Sequence, residues 1–236
     1  MKKRGPCYVC GNPGTTADHI PPECCFLDLP TNRIKVPACE AHNLKRSKDD
    51  EYFRLVMVTV CAGGNDERAN KLLDGPVARG LKRRSLNPSG LLWRWLRGSV
   101  PRVPVFSPGG IFLGYKPGFR IEAERVQLVV DRMIRGIYLH AYSSRLPENC
   151  PIAGYRDFRD IPEHRKLLTI LNRTFVTDNG GDFRYWAWRN ELDPTFSIVV
   201  LEFYRSLYLL SGSGPRNPWV IHDLRQTGQV GRIIPP

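Results

Sequence analysis

Two short spacings constrain this chain more than anything else in it: Cys7-x-x-Cys10, inside CYVCGNPG, and Cys39-x-x-His42, inside PACEAHN. A tight turn carrying two such side chains aims both at one point. Two turns of this kind together make the four-ligand tetrahedral set that suits Zn2+. The glycines of CYVCGNPG permit the turn, and the long loop between the pairs adds little closure cost, which grows only logarithmically with length. A closed four-ligand site leaves no position for substrate. The ion expected here is scaffolding, and in small zinc modules its binding contributes on the order of 10 kcal/mol of folding free energy.

The alternative is a chance grouping of buried thiols, and composition argues against it. The seven cysteines are an odd number with two in a Cys-x-x-Cys, a pattern of metal binding more than of a disulfide framework. No apolar run is long enough to span a bilayer, and the basic start MKKRGPCYVC has no apolar stretch behind it to form a signal peptide. A cytoplasmic, reducing location is the expectation. The 236 residues suffice for a real core. Thirty-five Lys and Arg against 23 Asp and Glu give a formal charge of +12, which points to a polyanionic partner such as nucleic acid.

Three stretches follow one another. Residues 1–62 hold the Cys/His/Asn cluster and end in a helix through SKDDEYFRLVMVTV, with acids in its first turn and glycines at 63 and 64 to stop it. Residues 63–120 open with a helix at NDERANKLL, continue with a short helix at GLLWRWLRG, and end in a hairpin, RVPVFSPGGIFLGYKPG, turning at Pro108-Gly109-Gly110. Residues 121–236 begin with the most clearly amphipathic helix, where Val126, Val129, Val130, Met133, Ile134, Ile137 and Tyr138 recur at helical spacing. Beyond it, GDFRYWAWRNE and PTFSIVVLEFYRSLYLLSG read as an antiparallel strand pair packed on that helix, and the last dozen residues as a loose tail. The fold class is α+β.

Between the two half-sites stand Asp18-His19-Ile20-Pro21-Pro22 and Asn32, and Asn43 directly follows His42. Asp18-His19 alone is an ordinary polar pair. In this order and bracket, the stretch from about residue 7 to 53 resembles the HNH, or ββα-metal, nuclease family, including a set of small bacterial proteins described as HNH endonucleases; phage members are equally compatible. The resemblance implies that His19 is the general base that deprotonates the attacking water. It implies that Asp18 and Asn43 hold one catalytic Mg2+ or Mn2+ ion, and that Asn32 hydrogen-bonds across the loop to fix the histidine. Lys45, Arg46 and Lys48 fall where a phosphate clamp helps. Two positions depart from the common pattern: the last motif residue is Asn43 where a His is frequent, and the fourth zinc ligand is His42 where a Cys is commoner. Assigned to zinc, His42 preserves the half-site spacing and leaves Asn43 in register; assigned to the catalytic ion, it would bring Cys24 or Cys25 to zinc. The chemistry asks for the same residue types independently, since phosphodiester hydrolysis needs a base that is neutral near pH 7 and oxygen donors for a hard cation.

From Asp74 to Glu122 no acidic residue intervenes, while nine basic ones do, among them Arg83, Arg84, Arg94 and Arg97. Such a run supplies sequence-independent phosphate contacts; a solvated basic face is the plainer reading. The expected function is metal-dependent endonucleolytic hydrolysis of DNA, with RNA also open as substrate, one strand per site, and a homodimer as one route to a double-strand break. The alternative is a zinc-containing module that binds nucleic acid without cutting it.

Overall fold

The computed structural model describes residues 5–28, 33–63, 66–80, 102–107, 109–117, 121–158, 164–171, 175–178 and 182–214. The short helix read in GLLWRWLRG and the C-terminal tail lie outside these residues. The fold is α+β. Strands β1 (Thr16–Ile20) and β2 (Ile34–Ala38) pair antiparallel with Ile20 opposite Ile34, and helix α1 (Ser47–Gly63) follows through a 3-10 turn at Leu44–Arg46. Helix α2 (Glu67–Leu72) is capped by Asp66, whose carboxylate accepts from Ala69 N at 2.9 Å. Strands β3 (Arg102–Phe106) and β4 (Phe112–Pro117) form the expected hairpin as a two-stranded sheet.

Helix α3 (Ala123–Tyr142) is the centre of the molecule. The apolar stripe read in the sequence is buried along its length, and the same core includes Phe53 and Met57 of α1, Ile20 and Val36 of the first hairpin, and Val199 and Leu201 of the C-terminal sheet. The described residues of this N-terminal stretch therefore share one core with α3 and the C-terminal sheet. The seat of β1 on α3 is close: a Cβ on Gly136 would stand 2.5 Å from Ile20 Cγ1.

The C-terminal sheet has five antiparallel strands in the order β5-β9-β8-β7-β6, comprising β5 (Arg156–Asp157), β6 (Val176–Asp178), β7 (Phe183–Arg189), β8 (Ser197–Phe203) and β9 (Leu207–Ser213); helix α4 (His164–Leu171) precedes β6. All seven residues of β8 are buried because both faces are covered. Val199, Leu201 and Phe203 face the main core, while Ile198 and Val200 join a second cluster with Phe158 and Leu171. The sequence suggests two strands here, and the structure has three long ones. PTFSIVVLEFYRSLYLLSG folds back on itself at Tyr204 and Arg205, both left-handed at φ 51° and 52°, a turn made without the glycine or asparagine that normally marks it.

If β1 rests on Gly136 as described, Gly136→Val overfills that contact. We expect a loss of about 1–3 kcal/mol in urea unfolding with an unchanged denaturant slope. An unaltered midpoint would mean that β1 is not seated there.

Candidate functional site

The two knuckles meet as their spacing predicts. The ligand atoms of Cys7, Cys10, Cys39 and His42 all lie within 4.8 Å of one another, a cluster that can hold a metal such as zinc. Zn–S and Zn–N bonds of about 2.3 and 2.0 Å give tetrahedral edges of about 3.8 Å between sulfurs and about 3.5 Å from sulfur to nitrogen. The observed separations are 3.8 Å for Cys10 Sγ to Cys39 Sγ, 3.7 Å for Cys7 Sγ to His42 Nδ1 and 3.2 Å for Cys39 Sγ to His42 Nδ1. Backbone bonds shape both turns: Gly11 N donates to Cys7 O at 2.9 Å, with Gly11 left-handed at φ 77°, and the amides of His42 and Asn43 both donate to Cys39 O at 3.1 Å.

Electrostatics favour the ligating form at Cys7 and His42, while burial, with Cys7 and Cys39 beside it, pushes the Cys10 thiol up. Burial pushes the Cys7 thiol up, but the backbone amides of Cys10, Cys39 and Val9 outweigh it and hold it below its ordinary value. Burial and the nearby Arg46 push His42 down, toward the neutral imidazole that binds metal. Neither Cys24 nor Cys25 belongs to the cluster. Buried Cys25 instead offers its backbone carbonyl to Tyr204 Oη at 2.8 Å.

β1 carries Asp18 and His19, and alternation along the strand sends them to opposite sides. His19 is half-buried opposite Lys35 of β2. Its Nε2 lies 3.3 Å from Glu23 Oε1, a carboxylate that also pairs with Arg33. Burial, reinforced by Arg33 and Lys35 against the pull of Asp18, lowers the histidine below its ordinary value, which favours the neutral imidazole. Asp18 is buried, with Tyr8 Oη donating to its Oδ2 at 2.7 Å and Arg132 Nη1 at 3.6 Å from the same atom. Arg132, equally buried on α3, also pairs with Asp50 of α1. Burial raises the Asp18 carboxyl, against the pull of Arg132 and Tyr8.

Asn43 stands at the head of the turn into α1, where its Nδ2 donates to Thr16 Oγ1 at 3.1 Å and to Ala17 O at 3.0 Å. Lys45 and Lys48 are exposed beside it, and half-buried Arg46 reaches Asp49 at 4.0 Å. Asn32, Arg83, Arg84, Arg94 and Arg97 lie outside the described residues.

The donors for a second, oxygen-bound ion are fewer. Asp18 commits Oδ2 to Tyr8 and Arg132, and Asn43 commits Nδ2 to β1, which leaves each with Oδ1. Among the described residues no other His, Cys, Asp or Glu group of three converges as the zinc cluster does. Such a pair suits Mg2+ or Mn2+ only where phosphate and water complete the shell.

Sequence reasoning missed Glu23, Tyr8, Arg132 and Asp50. A signal existed for Arg132: it falls within the buried stripe of α3, between Val129 and Met133, where an arginine requires a buried acidic partner.

Zinc analysis of the purified chain is expected to give one ion per molecule, lost with the fold in Cys7→Ser or Cys39→Ser and unaffected in Cys24→Ser. Replacing Arg132 with Met strands buried Asp18 and half-buried Asp50 and is expected to cost about 3–5 kcal/mol in denaturant unfolding. Asp50 gives a pH signature, because burial, with Asp18 and Asp49 adding to it, pushes its carboxyl from 3.8 up to about 6 despite Arg132. The folded chain then keeps a proton that the unfolded chain releases. This group's contribution to stability is complete below about pH 4 and is lost as pH rises to about 6. The stability of wild type relative to Asp50→Asn is expected to fall across that window and level off above it. No protein-family model, no curated protein and no solved structure matches the chain, so its reading rests on its own residues.

Proposed function

We propose that this chain is a metal-dependent endonuclease that hydrolyses DNA phosphodiester bonds, one strand per site. The observation that carries the reading is a half-buried His19, 3.3 Å from Glu23, held on β1 of a unit that runs knuckle, β1, β2, knuckle, helix. With Nε2 turned toward Glu23, Nδ1 is the ring atom left to take a proton from water, and the carboxylate steadies the imidazolium that results. Asp18 and Asn43 are the oxygen donors that would hold Mg2+ or Mn2+, which when bound supplies charge neutralisation at the phosphate and the leaving oxygen. Asn32 is, in this reading, the residue that fixes the histidine. Lys45, Arg46 and Lys48 receive phosphate at the head of α1, where the helix dipole adds to their charge. Arg83, Arg84, Arg94 and Arg97 extend that contact along the nucleic acid. The protein acts in the cytoplasm, and a homodimer is one way for it to cut both strands.

A second reading, nucleic-acid binding without cleavage, is favoured by one observation. Asp18 Oδ2 already answers to Tyr8 and Arg132, so one of the two ion donors is partly engaged.

Supercoiled plasmid incubated with the zinc-loaded protein separates the two. With Mg2+ or Mn2+, wild type is expected to give open circles, and folded His19→Ala to be slower by about 100-fold or more. Equal nicking by both removes His19 as the base. Binding without nicking, at equal zinc content, selects the second reading.

A further inference from the structure

The β3–β4 hairpin carries a feature that the site around His19 does not use. Of nine large apolar side chains exposed among the described residues, five belong to it: Phe106, Ile111, Phe112, Leu113 and Tyr115. Phe106 pairs with Phe112 and Pro104 with Tyr115, while a bulge leaves Leu113 extra on β4. Residues 112 and 115 are three apart and would point to opposite faces of a regular strand. The bulge shifts the alternation by one and returns them to the same face. There the three rings form a chain, Phe106 to Phe112 at 5.7 Å between centroids and Phe112 to Tyr115 at 5.2 Å, both edge-to-face. The rings are 56, 50 and 62% exposed. Burying such rings is the usual source of a hairpin's stability, and an exposed cluster of this kind marks a contact surface.

The charge of the surrounding sequence decides what it contacts. The hairpin lies inside the segment from Asp74 to Glu122 that holds nine basic residues and no acidic one, with Arg102 and Lys116 in its own strands. A second copy would bring two basic, acid-free segments together. Nucleic acid offers phosphates to the cations and flat apolar faces to the rings. Side chains that project as wedges from a narrow hairpin suit bases that are out of the stack. The geometry points to the Phe106–Phe112–Tyr115 face as a stacking platform for unpaired bases of a DNA strand. This inference rests on the nucleic-acid part of the proposed function and is independent of whether His19 catalyses.

The test uses the full-length, zinc-loaded His19→Ala protein without added Mg2+, so that no substrate is consumed. The probes are an unpaired oligonucleotide carrying 2-aminopurine and the matching duplex. We expect Phe112→Ala to weaken binding of the unpaired strand about 5- to 100-fold, the range that stacking on one ring represents. Duplex affinity and the salt dependence of binding, which count phosphate contacts, should stay within about twofold of the parent protein. The 2-aminopurine quenching seen with the parent should be lost. Tyr115→Ala provides a second variant at an exposed position, and far-UV circular dichroism checks that both are folded. Equal losses on strand and duplex, or unchanged quenching, overturn the proposal. So does a parent protein that binds neither probe, or a dimer in light scattering that Phe112→Ala dissociates. Nicking that survives in His19→Ala sinks the assignment of the base and leaves this proposal standing on its own binding data.

Discussion

A single guanidinium joins three elements that are far apart in the chain. Arg132 projects from α3 between Asp18 of β1 and Asp50 of α1; Asp18 and Arg132 are buried, and Asp50 is half-buried. Removing these charges from solvent costs several kcal/mol per ion, recovered only when each finds its partner in good geometry. The contact therefore does little to raise net stability and ties the relative positions of β1, α1 and α3 to one another. Around it the helices are pinned at their N-terminal ends as well. Arg125 of α3 bonds Asp49 at 2.9 Å and the Lys48 carbonyl at 2.9 Å, and Tyr52 Oη accepts from Glu122 N at 2.8 Å.

The zinc cluster does complementary work. It closes the turns before β1 and after β2, so the hairpin enters and leaves at fixed points, and the knuckle amides bond directly to β2 through Tyr8 N to Pro37 O at 2.9 Å. The Cys/His cluster on one side and burial on α3 on the other thus hold the same short hairpin. His19 sits on the side facing away from Arg132, half-exposed and with a carboxylate of its own. The strand's alternation puts a buried acid on one side and a half-buried histidine on the other.

Much of this was legible in residue spacing. The Cys-x-x-Cys and Cys-x-x-His pairs, the stripe of α3 and the Pro-Gly-Gly hairpin all rest on local rules of ligand geometry or periodicity, and each appears where those rules put it. The partners of Asp18 were less accessible. Tyr8 and Arg132 are brought to it by tertiary packing, and no spacing along the chain encodes a contact between residues 18 and 132. The same holds for Glu23, four residues past His19 but across a Pro-Pro turn where helical spacing has no meaning. The turn at Tyr204-Arg205 escaped for another reason: the burial of β8 and β9 on both faces drives two bulky residues into a left-handed conformation that local propensity disfavours.

Arg145, just past α3, donates to the carbonyl of Val9 at 3.1 Å and covers the left-handed Gly11 at the back of the first knuckle. The earliest part of the chain is thus completed by one of its later parts. On a ribosome, Asp18, Asp50 and the first knuckle emerge well before Arg132 and Arg145 are made. During that interval the nascent hairpin has its metal ligands but neither its counter-ion nor its cover. Synthesis order therefore makes α3 the piece whose arrival completes the N-terminal unit.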